Sequence, residues 1–206
     1  MPSATGRAGS SQPAPDGADG IDLFWLPLGA GDRFPVVRTS GRAFEAIAAR
    51  REHRTPCELY HAALEISLDG VGYAIEMTPA WGAAGQDRGT VAQGPVGLRV
   101  LGRSPFFRYE VHRWREGVIP DLALAVGGAH RLSDDSELVR RAWGAVARVP
   151  TATWGRDERH TGDMWNSNSV VSWILLTAGL ELGDVAPPRG GRAPGWSAGI
   201  TVGQVS

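Results

Sequence analysis

The stretch GDMWNSNSVVSWILLTAGL, residues 162–180, places a hydroxyl between two carboxamides just where an apolar, helix-like run begins. Asparagine and serine compete with the backbone for hydrogen bonds, so they disfavour helix interiors and favour helix starts. Ser167, flanked by Asn166 and Asn168, would sit among N–H groups that lack an intrahelical partner, at the positive end of the helix dipole. Such groups can hold the oxyanion of an acyl-transfer intermediate. The simpler reading is a cap, and nucleophilic chemistry at Ser167 requires a base brought from elsewhere in the chain.

The segment YHAALEISLDGVGYAIEM, residues 60–77, offers that base. A two-residue turn at Asp69-Gly70 pairs Leu68 with Val71 and, by extension, His61 with Thr78. Side-chain alternation then sets His61, Ala63, Glu65 and Ser67 on one face with Ala74, Glu76 and Thr78. The opposite face, from Tyr60, Ala62, Leu64 and Ile66 to Tyr73, Ile75 and Met77, is apolar. Glu76 lies diagonally across from His61, where a carboxylate would fix the imidazole tautomer and raise its basicity. A slip of one residue in register would undo that pairing. In FFRYEVHRW, the row Arg108, Glu110, His112 and Trp114 reads as a solvated strand face. His61, His112, His130, His160 and Asp163 show no helical ligand spacing such as H-x-x-x-H, so neither a metal nor a cofactor is expected. The single cysteine, Cys57, forms no internal disulfide and reads as a small, partly buried thiol.

Around these residues the pattern is that of a soluble globular protein. The 206 residues are 42% hydrophobic and 21% charged, with a formal net charge of −1, which gives no overall electrostatic footprint for nucleic acid or an anionic membrane. All 21 basic residues are arginine. Residues 1–20, rich in Pro, Gly, Ser and Ala, read as a disordered tail without the apolar core of a signal peptide. No run approaches the roughly 18 apolar residues of a membrane span, and a cytoplasmic location is the default expectation. Residues 21–206 are expected to form one domain.

Within it, IDLFWLPLGAGDRFPVV reads as a strand or irregular segment and SGRAFEAIAARRE as a short amphipathic helix. Strand-like segments follow: ELYHAALEIS, GYAIEMTPAW, GLRVLG, FFRYEVHRW and PDLALAVGG. Dense turn residues between them argue for an antiparallel meander or small barrel. DDSELVRRAWGAVARVP aligns Leu138, Val139, Ala142, Trp143 and Val146, with an Asp134/Glu137 capping box and a stop at Pro150. The helix after Asn166 aligns Val170, Val171, Ile174, Leu175 and Ala178 and ends at Gly179. The Gly/Pro-rich end, GDVAPPRGGRAPGWSAGITVGQVS, is expected to wrap the surface. The fold class is therefore α+β, strands in the middle and helices at both ends.

An early YHAALEI strand, a β-rich middle and a late NSNSVVSWILLTAGL helix together resemble circularly permuted papain-like hydrolases, a group related to PPPDE and NlpC-type enzymes. The Asn-Cys-Asn helix start of PPPDE-type thiol peptidases is similar to WNSNSVVSWIL. A bacterial family of uncharacterised function, with a PNSNTF-like helix start and a RYEV strand, is more similar still. The resemblance covers roughly residues 58–196. It implies that His61 matches the catalytic His, that Ser167 stands where the nucleophilic Cys would be, and that Asn166 and Asn168 match the flanking asparagines. PPRGGRAPGW resembles a tail segment of the uncharacterised family and brings no role with it. Serine in place of cysteine changes the chemistry: a thiol near pKa 8.5 can be held as a thiolate beside an imidazolium, whereas a hydroxyl must lose its proton as it attacks.

Two functions of different class follow. One is a Ser/His hydrolase or acyltransferase for an amide or ester. In it Ser167 attacks, His61 moves the proton and Glu76 orients His61, while the Ser167 N–H with the Asn166 or Asn168 side chain holds the oxyanion. The other is a catalytically inactive papain-like domain that binds a peptide, small ligand or partner protein, with Trp165, Trp173 and Trp196 lining a groove. Neither reading expects a nucleic-acid or membrane partner.

Overall fold

The computed structural model describes residues 18–29, 45–80, 88–119 and 121–205. The proposed tail falls almost wholly outside them, as does the start of the helix expected from Ser40; its residues 45–51 are helical.

The architecture is α+β. Six strands, β1 (Gly20–Pro27), β2 (Tyr60–Leu68), β3 (Val71–Pro79), β4 (Thr90–Pro95), β5 (Arg108–Arg115) and β6 (His130–Ser133), make one antiparallel sheet in the order β4-β5-β3-β2-β1-β6. Of the expected meander or small barrel, β1-β2-β3 follows the meander, and the described sheet is open with β4 and β6 at its edges. Three later helices are α1 (Ser136–Val146), α2 (Ser167–Ala178) and α3 (Trp196–Gln204).

The β2–β3 turn forms as its sequence dictates. Asp69 and Gly70 both take positive φ, 51° and 77°, the conformation that matches the twist of the flanking strands. Leu68 accordingly faces Val71, and the pairing runs to Leu64–Ile75. The two faces sort as alternation requires. Ala62, Leu64, Ile66, Ile75 and Met77 join Ile21, Leu23, Trp25, Tyr109 and Val111 in the main core, against Val139, Ala142, Ala145 and Val146 of α1 and Val170, Val171, Trp173, Ile174, Leu175 and Ala178 of α2. Ala63 and Ala74 join Phe24, Leu26 and Ile119 in a smaller cluster on the other face.

Helix α2 is buried on every side, from Asn168 through Leu175. It lies between the sheet and α3, and the last segment of the chain, expected on the surface, thus supplies a core helix. Other corrections are local. GLRVLG is a 3₁₀ helix, Arg99–Arg103, and PDLALAVGG holds a 3₁₀ turn, Leu122–Leu124. The cap of α1 is Asp135, whose carboxylate accepts from the N–H groups of Glu137 and Leu138, one residue later than the Asp134 box expected.

Candidate functional site

Ser167 and His61 are 106 residues apart in sequence and meet in space: the Ser167 Oγ lies 2.8 Å from His61 Nδ1. His61 belongs to the sheet face turned away from α2, so their meeting needs explanation. The described β2–β3 pairing ends at Leu64–Ile75, leaving the β3-side edge of Tyr60 and Ala62 unpaired with β3. The first turn of α2 and residues 191–194 occupy that edge. Tyr60 N–H donates to the Arg192 carbonyl (2.7 Å) and Arg192 N–H to the Glu58 carbonyl (2.9 Å). The Asn168 Oδ1 accepts from Ala62 N–H (2.7 Å), and its Nδ2 donates to the Tyr60 carbonyl (3.0 Å) and to the Pro194 carbonyl (2.9 Å). A carboxamide thus takes the place of a strand partner, and the residue before it, Ser167, arrives beside the next β2 side chain, His61.

Asn166 fixes the helix start itself. Its Oδ1 accepts from Asn168 and Ser169 N–H, while the Ser169 hydroxyl accepts from Asn166 N–H (3.0 Å), a reciprocal capping box. Its Nδ2 donates to Pro194 (2.8 Å). Asp163 braces the same turn from outside: Oδ2 accepts from Gly195 N–H and Ser197 Oγ, both at 2.8 Å. Gly195, at φ 89°, is required here because a Cβ would come within 2.2 Å of Asn166 Oδ1. The segment PPRGGRAPGW, which had no role from sequence, is therefore the strut that holds both asparagines.

These bonds narrow the oxyanion choice between Asn166 and Asn168. Both N–H bonds of the Asn168 carboxamide go to backbone carbonyls, so it has none to offer a substrate. The Asn166 carboxamide keeps one N–H beyond its bond to Pro194. The Ser167 N–H, at the first helical position, has no acceptor among the described residues, as helix geometry demands.

The charge state of His61 follows from its surroundings. Ser167 and His61 are both half-buried, and protein atoms crowd the imidazole closely enough that burial pushes its pKa down to about 4. For the Ser167 hydroxyl to donate to Nδ1, the single hydrogen of the neutral ring must sit on Nε2. Burial is the cause that lowers the ring's pKa, and Glu76, expected to orient the ring, lies just beyond the last described β2–β3 pair, Leu64–Ile75. Glu76 stands opposite His112 on β5.

The other expected site residues separate from the pair. Trp165 is 2% exposed, Trp173 4% and Trp196 8%, all three in the main core, with Trp196 packed on Trp25 at a centroid distance of 5.0 Å. They fill the core. His112 is buried between the Thr78 and Thr90 hydroxyls, at 3.1 and 3.2 Å; the row read as solvated is covered there, and burial lowers its pKa. Burial also leads the causes that raise the pKa of Cys57, whose thiol lies beside Glu45 (3.4 Å), which disfavours the thiolate. Among the described residues no group of three or more metal-ligating side chains forms, and no helix is long and apolar enough to cross a membrane.

Comparison with family models, curated proteins and solved structures finds no match to this chain.

Proposed function

We propose that the protein is a Ser/His hydrolase or acyltransferase acting on an amide or ester, on a scaffold resembling permuted papain-like enzymes. The observation that carries this is the 2.8 Å contact between Ser167 Oγ and His61 Nδ1 at the first residue of a helix. Ser167 attacks the carbonyl as His61 Nδ1 takes its proton, and the Ser167 N–H, with the remaining Asn166 N–H, faces the developing oxyanion. His61 then returns the proton to the leaving group, and water repeats the cycle on the acyl-enzyme. A ring with pKa about 4 is neutral at pH 7, the right state for a base, but it binds a proton weakly.

The experiment is to treat the protein with a fluorophosphonate and locate the adduct by mass spectrometry. Modification at Ser167, slowed about a hundredfold or more in His61→Gln, supports a working pair. The rate should hold steady from pH 8 to about 5 and fall towards pH 4, as the imidazole protonates.

One observation favours a second reading, a scaffold that binds a ligand without catalysis: the Asn168 carboxamide is spent on the backbone, and burial makes His61 a weak base. Labelling no faster at Ser167 than at surface serines, and indifferent to His61, would decide for that reading.

A further inference from the structure

Among the described residues, five of the ten exposed large hydrophobic side chains lie in one loop. Between β4 and β5, residues 98–107 carry Leu98, Val100, Leu101, Phe106 and Phe107, with Phe106 72% and Val100 68% exposed. The two 3₁₀ helices here, Arg99–Arg103 and Pro105–Phe107, bury no residue at all. A helix packed on a core buries one side, so folding does not account for these side chains.

The loop is nonetheless a built element. Val96 N–H donates to the Phe107 carbonyl (2.8 Å), closing its base, and internal bonds run from Leu101 to Leu98, Ser104 to Leu101 and Phe107 to Ser104. Arg108 Nε donates to the Gly102 carbonyl and Arg156 Nε to the Gly97 carbonyl, both at 2.6 Å. Its charge is one-sided: residues 96–109 include Arg99, Arg103 and Arg108 and no Asp or Glu, in a chain whose net charge is −1. Arg99 and Arg103 are exposed. The acids nearby are Asp157, bonded to Thr161 and Gly162, and Glu158, bonded to Thr153 and lowered in pKa in part by the charge of Arg99.

We propose that residues 98–107 are a docking surface for an anionic lipid bilayer. Phe106, Phe107, Val100 and Leu98 enter the headgroup–acyl boundary, and Arg99 and Arg103 meet the lipid phosphates. A stable protein interface engages roughly 20–30 residues a side, whereas insertion needs only a convex apolar tip with a cationic rim. The whole-chain charge gave no sign of this because a sum over the sequence cancels a local cluster against acids elsewhere. The loop sits at the sheet end that carries His61: Pro95 pairs with Arg108, Pro79 with Tyr109 and Pro27 with Tyr60. Bridges from Val96 to Trp154 and on to Trp165 lead from its base to the start of α2. Docking would therefore hold the Ser167 end of the molecule towards the membrane, whatever chemistry occurs there.

The test is flotation of the full chain with phosphatidylcholine vesicles, with and without phosphatidylglycerol. The expected result is co-flotation with the anionic vesicles, lost about tenfold in Phe106→Ser/Phe107→Ser and in Arg99→Glu/Arg103→Glu, and weakened by salt. Circular dichroism checks that both variants fold, which their exposed positions should permit. A second readout is Phe106→Cys in a Cys57→Ser background, labelled with an apolar environment-sensitive dye in place of the phenyl ring, whose emission should shift to the blue on adding anionic vesicles. No flotation and no dye shift would overturn the proposal. So would a dimer in sedimentation that Phe106→Ser/Phe107→Ser converts to monomer, since a second copy would then own the patch.

Discussion

His61 links the site to the stability of the fold through its proton. Its folded pKa, about 4, lies below the ordinary value of 6.5, so between those values the unfolded chain binds the extra proton and the folded one does not. Above pH 6.5 the ring is neutral in both states. As the pH falls from 6.5 to about 4, stability should therefore drop, by at most about 3 kcal/mol from this residue. His112, also lowered by burial, acts in the same direction. Denaturant unfolding at a series of pH values checks this: His61→Gln should flatten the slope above pH 4.5. Glu45, held down to about 2 chiefly by its hydrogen bond with Arg54, works in a lower window. Its contribution is present above pH 4.5 and lost as the pH falls towards 2.

Asn168 is the other residue whose replacement is diagnostic. Asn168→Ala removes three hydrogen bonds and strands the Ala62 N–H and the Tyr60 carbonyl near the core, at a cost of about 3 kcal/mol in unfolding free energy. Asn168→Asp should cost a similar amount, because a carboxylate can accept from Ala62 but cannot donate to Tyr60 or Pro194. Both should abolish any dependence of Ser167 reactivity on His61. Sequence pattern pointed to both members of the Ser167–His61 pair, since each stood out locally. It left Asn166 and Asn168 as alternatives for the oxyanion, because one helix start offers a carboxamide equally to a substrate or to a neighbouring strand.

At the scale of elements, the α2–α3 contact depends on the lack of side chains. Ser169 Oγ donates to the Gly195 carbonyl (2.7 Å) and Ser172 Oγ to the Trp196 carbonyl (2.8 Å). A Cβ on Gly199 would lie 2.1 Å from the Ser169 carbonyl oxygen. Alanine gains about 1 kcal/mol over glycine in helix propensity, whereas forcing two helix backbones apart costs about 1–3 kcal/mol. Gly199→Ala should therefore lower the unfolding free energy by up to about 2 kcal/mol in urea denaturation, while Gly144→Ala in α1, with open space around it, should raise it slightly. Helices α1 and α2 and the β2–β3 hairpin were legible because caps, apolar spacing and an Asp-Gly turn all act within a few residues. Strands β4 and β6 were not, since TVAQGP and HRLS carry weak patterns and owe their pairing to β5 and β1. GLRVLG has strand-like composition, yet Arg99–Arg103 closes into a 3₁₀ helix that pairs with no strand among the described residues.

For the whole molecule, the chain's end completes the core. Helix α3 contributes Trp196 and Val202 to the main cluster, and Trp196 rests on Trp25 of the first strand. Removing residues 195–206 should strip one side of α2, release the Asp163 brace and leave a chain that unfolds without a sharp transition, as thermal melting by near-ultraviolet dichroism would record. The sequence by itself determined the α+β class, the hairpin register and the identity of a serine at a helix start, since each follows from contacts between near neighbours. Only the tertiary structure decided that β3 parts from β2 below Leu64, that Asn168 and residues 191–194 fill the opening, and that Ser167 thereby reaches an imidazole 106 residues away. Those outcomes are set by which distant backbone groups are left to be satisfied, and a local pattern carries no record of them.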